Sequence, residues 1–312
     1  MTIPITIFAF IFGAIFGSFI CCQVRRIIAK EHLHGFQKLR QAPSHCESCE
    51  QKLHWWEMLP VLSWFCLRGK CRNCHAPIGI AELLAELGLG AVFAITIYSA
   101  ISGSFSTTLT VFDQVFTAAN TTNFTPSLLP ALPYFTGVIF FLVLACALTA
   151  VFVFDFLTGE IPTHLLTFCI ICAILFIGLE WAAAFFVGQF TLGLPLLTIA
   201  SAVVLSGFYF VLSVVPSRKQ AGSEDHTERG SRLVGDGDWL IALPLALILA
   251  HPLLAVANLF LANITGALIA IPFMLAHKWR ATTRIPFAPL LIAAFFIVFF
   301  AKSSILNMFM VL

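Results

Sequence analysis

Apolar stretches of roughly twenty residues recur along this chain, and a helix of that length crosses the hydrocarbon core of a bilayer. They are read at 3–22, 80–101, 134–154, 161–181, 190–215, 239–257, 259–277 and 287–309. The region from Asp238 to Trp279 holds 42 residues, enough for two crossings with a tight turn near His251-Pro252. The first stretch has no basic segment before it and no small-residue cleavage site after it, so it is expected to be a retained span. Of the 312 residues, 60% are hydrophobic and 10% charged, against about 25% charged in a soluble domain. Such a chain has too little polar surface to stand in water. The expected fold class is all-α, a polytopic membrane helical bundle of about eight transmembrane helices.

The net charge of +2 says little about partners, but the placement of the basic residues orients the bundle. Of the 17 lysines and arginines, nine fall in 23–78, four in 216–237 and three in 278–284, leaving Lys302. The segment 102–133 has none and is rich in Ser, Thr and Asn. Eight spans with the N-terminus outside put all three basic segments in the cytoplasm.

Two Cys-x-x-Cys pairs lie in the first of those segments: Cys46 and Cys49, then Cys71 and Cys74 after 21 intervening residues. This spacing is close to that of four-cysteine zinc sites, and thiols on the cytoplasmic side stay reduced. A structural Zn²⁺ is therefore expected, closing a segment too small to build its own core. Free or disulfide-bonded cysteines are the alternative. Cys66 is read as a bystander, as are His45, His54 and His75.

Asp155 ends the third stretch and Asp238 opens the sixth, within Gly235-Asp236-Gly237-Asp238. Alternating spans deliver both to the cytoplasmic face. Two carboxylates brought close in a partly dry site share one proton. The ionised partner then activates water while the protonated one polarises a peptide carbonyl. A helix N-terminus favours a charged Asp238 and a helix C-terminus a protonated Asp155, although coupled carboxylates titrate as a pair. Turn and capping roles are the plainer alternative for each aspartate taken singly.

Several motifs occur together. Phe16-Gly17-Ser18-Phe19 follows Phe12-Gly13, and Pro43-Ser-His-Cys46-Glu-Ser-Cys49 precedes Trp55-Trp56 and Pro60-Val-Leu-Ser-Trp64. Leu67-Arg-Gly-Lys-Cys71-Arg-Asn-Cys74 comes next, then Glu86, Asp155 seven residues before Pro162, Gly235-x-Gly237-Asp238, and Arg284-Ile-Pro286-Phe287-Ala-Pro289. In this order they resemble the type IV prepilin peptidases, membrane aspartyl peptidases of the Gly-x-Gly-Asp type. There are departures: Cys21, Thr163 and Leu240 stand where the family usually has Asn, Asp or Asn, and Lys, and Ala81, Glu82 and Leu83 replace the Arg-Tyr-Pro before Glu86.

The resemblance implies a multi-pass protein of the bacterial cytoplasmic (inner) membrane that cleaves the basic leader of prepilins and pseudopilins. Asp155 and Asp238 would be catalytic, with Gly235, Gly237 and Pro162 supporting them. In many members the enzyme also N-methylates the new N-terminus using S-adenosylmethionine. The implied division is a first helix at 1–22, a cytoplasmic zinc-binding segment at 23–78 and a membrane peptidase domain at 79–312. The expected partners are the substrates and the lipid bilayer, with no nucleic acid. Two other readings compete: a transporter or channel using border carboxylates, and a non-catalytic zinc-binding membrane scaffold.

Overall fold

The computed structural model describes residues 2–32, 45–46, 48–102, 105, 128–186, 190–214, 237–275 and 286–310. Nine α-helices are present among them, named here in chain order. They are α1 (Thr2–His32), α2 (Leu62–Cys66), α3 (Ile80–Ile101), α4 (Leu128–Thr158), α5 (Thr163–Phe186), α6 (Gly193–Val214), α7 (Asp238–Leu249), α8 (Pro252–Leu275) and α9 (Ala288–Met310). A short 3₁₀ turn covers Trp55–Met58. Among the described residues β pairing is confined to two isolated antiparallel bridges, His45 with Lys52 and Lys70 with Pro77. The all-helical membrane class expected from the sequence is the one observed.

Seven of these helices are long and apolar enough to cross a membrane. α7 is apolar too, but its 12 residues rise only about 18 Å, short of the roughly 30 Å hydrocarbon core. Here the expected boundaries need correction. The stretches read as 239–257 and 259–277 are divided at Ala250 and His251, so the first helix is much shorter and the second begins earlier. Ala250 adopts the left-handed conformation (φ 52°) and its N–H caps the Ala246 carbonyl; Pro252 then starts α8. The turn expected near His251-Pro252 is present, but the apolar residues on both sides hid that it ends the first helix so early. α1 likewise continues past residue 22 to His32, because lost hydropathy at Arg25 and Arg26 does not stop a helix.

The chain divides into two compact units, residues 1–105 with 141–158 and residues 106–140 with 159–312. In the first, α1 and α3 run antiparallel in close contact. Gly13 and Gly17 form a Gly-x-x-x-Gly pair, and a β-carbon at either would meet a carbonyl oxygen of α3 at 2.7 Å (Leu89 and Ala85 respectively). Small residues at such an interface let two backbones approach in the absence of a hydrophobic driving force. Arg25 pairs with Glu82 at one end of the seam, and Phe12 and Phe16 pack on Phe93 towards the other.

In the second unit α7 is the centre. Ile241, Ala242, Leu245 and Ala246 are wholly buried, and α5, α6 and α9 pack around the helix. A helix apolar on every side requires such enclosure. α6 fixes it by hydroxyls: Ser201 donates to the Ala246 carbonyl (2.7 Å) and Ser206 to that of Trp239 (3.0 Å).

Candidate active-site carboxylates and a four-cysteine metal centre

Asp155 lies in the last turn of α4, three residues before its end at Thr158, and is buried. The helix then stops as Gly159 turns into the left-handed region (φ 67°), a conformation glycine adopts without steric cost. Pro162 begins the next helix by accepting the N–H groups of Leu165 (3.0 Å) and Leu166 (3.2 Å). Glu160 and His164 beside it are exposed.

Asp238, half-buried in the other unit, is the first residue of α7. Gly237 caps the helix, its carbonyl accepting the Ile241 N–H at 3.0 Å, and a β-carbon on it would lie 3.7 Å from Ile161 Cδ1. Four N–H groups at such a terminus have no intrahelical partner, so a carboxylate there is stabilised. Gly235 lies outside the described residues. The two aspartates belong to different units.

Sequence reasoning missed the groups around Asp238. Tyr209 of α6 is buried within electrostatic reach of it. The Tyr209 hydroxyl accepts a hydrogen bond from Asn263 Nδ2 (3.2 Å), which also donates to the Leu259 carbonyl (2.7 Å). The Tyr209 ring packs on Phe287, centroids 5.4 Å apart, and Trp239 lies edge-on to Phe210 at 5.5 Å. Isolated polar residues in apolar helices leave no periodic signal. Only their proximity marks them.

The four cysteines converge. The Sγ atoms of Cys46, Cys49, Cys71 and Cys74 all lie within 4.8 Å of one another. Two small hairpins of the same design bring them together. In each, the residue after the second cysteine takes positive φ (Glu50 54°, His75 56°) and donates its N–H to the carbonyl of the first, at 2.9 and 3.0 Å. The first cysteine's N–H closes the hairpin onto Gln51 (2.9 Å) or Ala76 (2.8 Å).

Further N–H groups point at the sulfurs. Those of Cys74 and Asn73 hold the Cys71 thiol down to about 7, from an ordinary 9.0. The Gln51 N–H and the Asn73 amide, whose Nδ2 is 3.7 Å from Cys49 Sγ, lower Cys49. Cys74 is pushed up to about 11: the Ala76 N–H favours its thiolate, but desolvation and the neighbouring sulfurs outweigh that bond.

The donor set fits a tetrahedral thiophilic cation. Zn–S bonds of about 2.3 Å imply sulfur–sulfur edges of about 3.8 Å. The Cys46–Cys74 separation is 3.8 Å. Cys66 is exposed on α2 and outside the cluster.

Residues 11–100 match the family model described as the Bacterial Peptidase A24 N-terminal domain. The chain is 34% identical over 87 residues to a prepilin leader peptidase/N-methyltransferase of Myxococcus xanthus, covering 28% of this chain and 24% of the relative. A protein of the same name from Burkholderia pseudomallei is 35% identical over 106 residues (28% and 34%). One from Klebsiella pneumoniae is 33% identical over 92 residues (29% and 40%). The chain thus spans between about a quarter and two-fifths of the length of these relatives. No solved structure matches.

Proposed function

We propose, for a chain that belongs to the type IV prepilin peptidase family, that it removes the leader of prepilins and pseudopilins as an aspartyl endopeptidase with Asp155 and Asp238 as its dyad. The observation that carries this reading is the match over residues 11–100, which spans the glycine-packed α1–α3 pair and the four-cysteine module. The carboxylates support it by placement. Asp155 is buried near the end of an apolar helix and Asp238 stands in the first turn of another, and ionisable residues in such helices are costly and so mark candidate functional sites.

In this reading the ionised aspartate takes a proton from water as the oxygen attacks the scissile carbonyl carbon. The protonated partner hydrogen-bonds the carbonyl oxygen as negative charge builds there. Collapse of the tetrahedral adduct breaks the C–N bond, and the leaving amine takes up the proton that the aspartate drew from water, returning the dyad to its singly protonated state. The site is assigned to the cytoplasmic side of the bacterial inner membrane by the distribution of lysine and arginine. There the basic leader stays in water while the apolar stretch that follows it remains in lipid.

Cys46, Cys49, Cys71 and Cys74 are assigned to a structural Zn²⁺, which would supply cross-links and no open position for catalysis. Transfer of a methyl group to the new N-terminus, the second activity in the relatives' names, would draw on S-adenosylmethionine. Nothing on this chain is assigned to that cofactor.

Co-expression with a prepilin followed by mass analysis of its N-terminus tests the proposal, reporting cleavage and methylation together. Leader removal that persists in both Asp155→Asn and Asp238→Asn would sink it.

A further inference from the structure

The cysteine module carries an apolar surface that neither the metal nor the dyad explains. Trp55, Met58, Leu59, Leu62 and Phe65 cluster within the short stretch formed by the 3₁₀ turn, the break at Leu59–Val61 and α2. In a module that folded in water this face would turn inward. Here it points out: Trp55 is 74% exposed, Leu62 61% and Phe65 58%.

A hydrogen bond fixes where this surface lies. The N–H of Val61, the residue preceding α2, donates to Glu86 Oε2 at 2.7 Å, and Ser18 of α1 bonds the same carboxylate. Glu86 is buried and stands six residues into α3, about 9 Å along the axis from Ile80 at a rise of 1.5 Å per residue. A glutamate side chain leans back towards the start of its helix, so α2 begins beside the first turns of α3 and not above its end. Arg25 and Glu82 pair one turn nearer the helix start, a depth at which headgroups tolerate charge. Basic groups flank the apolar face: Lys52, Arg68 and Lys70 are exposed, and the Arg72 guanidinium lies 5.1 Å over the Trp56 ring.

We propose that the segment Trp55–Cys66 is an interfacial anchor, seated with its exposed apolar side chains in the headgroup and upper acyl layer of the bilayer. Aromatic and aliphatic side chains beside Lys and Arg are the composition that binds such a layer. The Val61–Glu86 bond supplies the depth, and Ile27 and Ile80 at the near ends of α1 and α3, both helices apolar enough to cross a membrane, are exposed as well. The anchor holds whether or not the dyad cuts a peptide.

The full chain in lipid nanodiscs provides the test, with Trp55 as a native reporter read as the difference between the unaltered protein and Trp55→Phe. Equal zinc content in the two shows that the module is intact. Phosphatidylcholine brominated high on its acyl chains is expected to remove about half or more of the Trp55 emission, with aqueous iodide removing little. Leu62→Ser combined with Phe65→Ser, the cysteines untouched, is expected to reverse that order at unchanged zinc content. Trp55 emission open to iodide and indifferent to bromine would overturn the proposal by placing the face in water. Indifference to both quenchers would overturn it as well, since protein (a second copy of the chain included) would then cover the face.

Discussion

Gly17 stands against the backbone of Ala85: a β-carbon on it would lie 2.7 Å from that residue's carbonyl oxygen and 2.9 Å from Glu86 Cα. Backbone cannot move aside as a flexible side chain can, so Gly17→Leu forces α1 off α3. Overpacking of this kind costs about 1–3 kcal/mol or more. Gly88, with nothing within 4 Å of its would-be β-carbon, is the control. Thermal unfolding in detergent should show a marked loss for Gly17→Leu and no loss, or a gain of up to about 1 kcal/mol, for Gly88→Ala. Equal effects would show that the helices do not pack through this seam.

Glu86 accepts from Val61 N–H and from Ser18. Glu86→Gln keeps an acceptor oxygen for them, whereas Glu86→Ala strands the Val61 N–H, a loss of about 1–3 kcal/mol. The expected order of thermal stability is unaltered chain, then Gln, then Ala. Protease sensitivity between Trp55 and Cys66 should rise in the alanine variant alone.

The four sulfurs predict about one zinc per chain, lost on chelation and in Cys46→Ser or Cys71→Ser. Binding needs thiolates, so it is linked to pH. Cys71 in the folded chain ionises near 7, below its ordinary 9.0. Taken alone, the depressed Cys71 value stabilises the folded metal-free module fully above about 9 and less as pH falls through about 7, whereas the raised Cys74 value, about 11, works against the module above about 9. Protons compete with the metal in the same direction. Zinc retention against a fixed chelator should therefore weaken from about pH 8 to about pH 6, and retention independent of pH would exclude thiolate ligation.

If Asp155 and Asp238 share a proton, Asn at either position removes general acid–base chemistry worth on the order of a hundred- to ten-thousandfold. Leader cleavage by purified protein should fall by that much with zinc content unchanged. A variant that loses both activity and metal reports a folding defect instead.

The spans and the cysteine ring were legible in the sequence, each for a local reason. Twenty apolar residues in succession are a direct statement about lipid, and Cys-x-x-Cys repeats at metal-ligand spacing need no knowledge of the fold. What stayed hidden is non-local. Gly13, Gly17 and Glu86 stood out as parts of motifs, yet nothing in the chain states that the glycines face Leu89 and Ala85 or that Glu86 receives Val61 N–H. Tyr209, Asn263 and Ser206 are single polar residues in apolar helices and become informative only beside Asp238 and Trp239. The break at Ala250 was foreshadowed by His251-Pro252, but its extent was not. The residues on both sides are equally apolar, and a left-handed alanine has no sequence signature.

Because α1 and α3 are antiparallel and meet backbone to backbone, with Arg25 paired to Glu82, the chain between those two residues leaves and returns at one doorway. The ends of that segment are already held together by protein, and the entropic cost of closing a loop rises only with the logarithm of its length. A bound cation has only to gather two hairpins inside a noose whose knot lies elsewhere. Stripping the metal should therefore slacken the module without setting it adrift from the membrane.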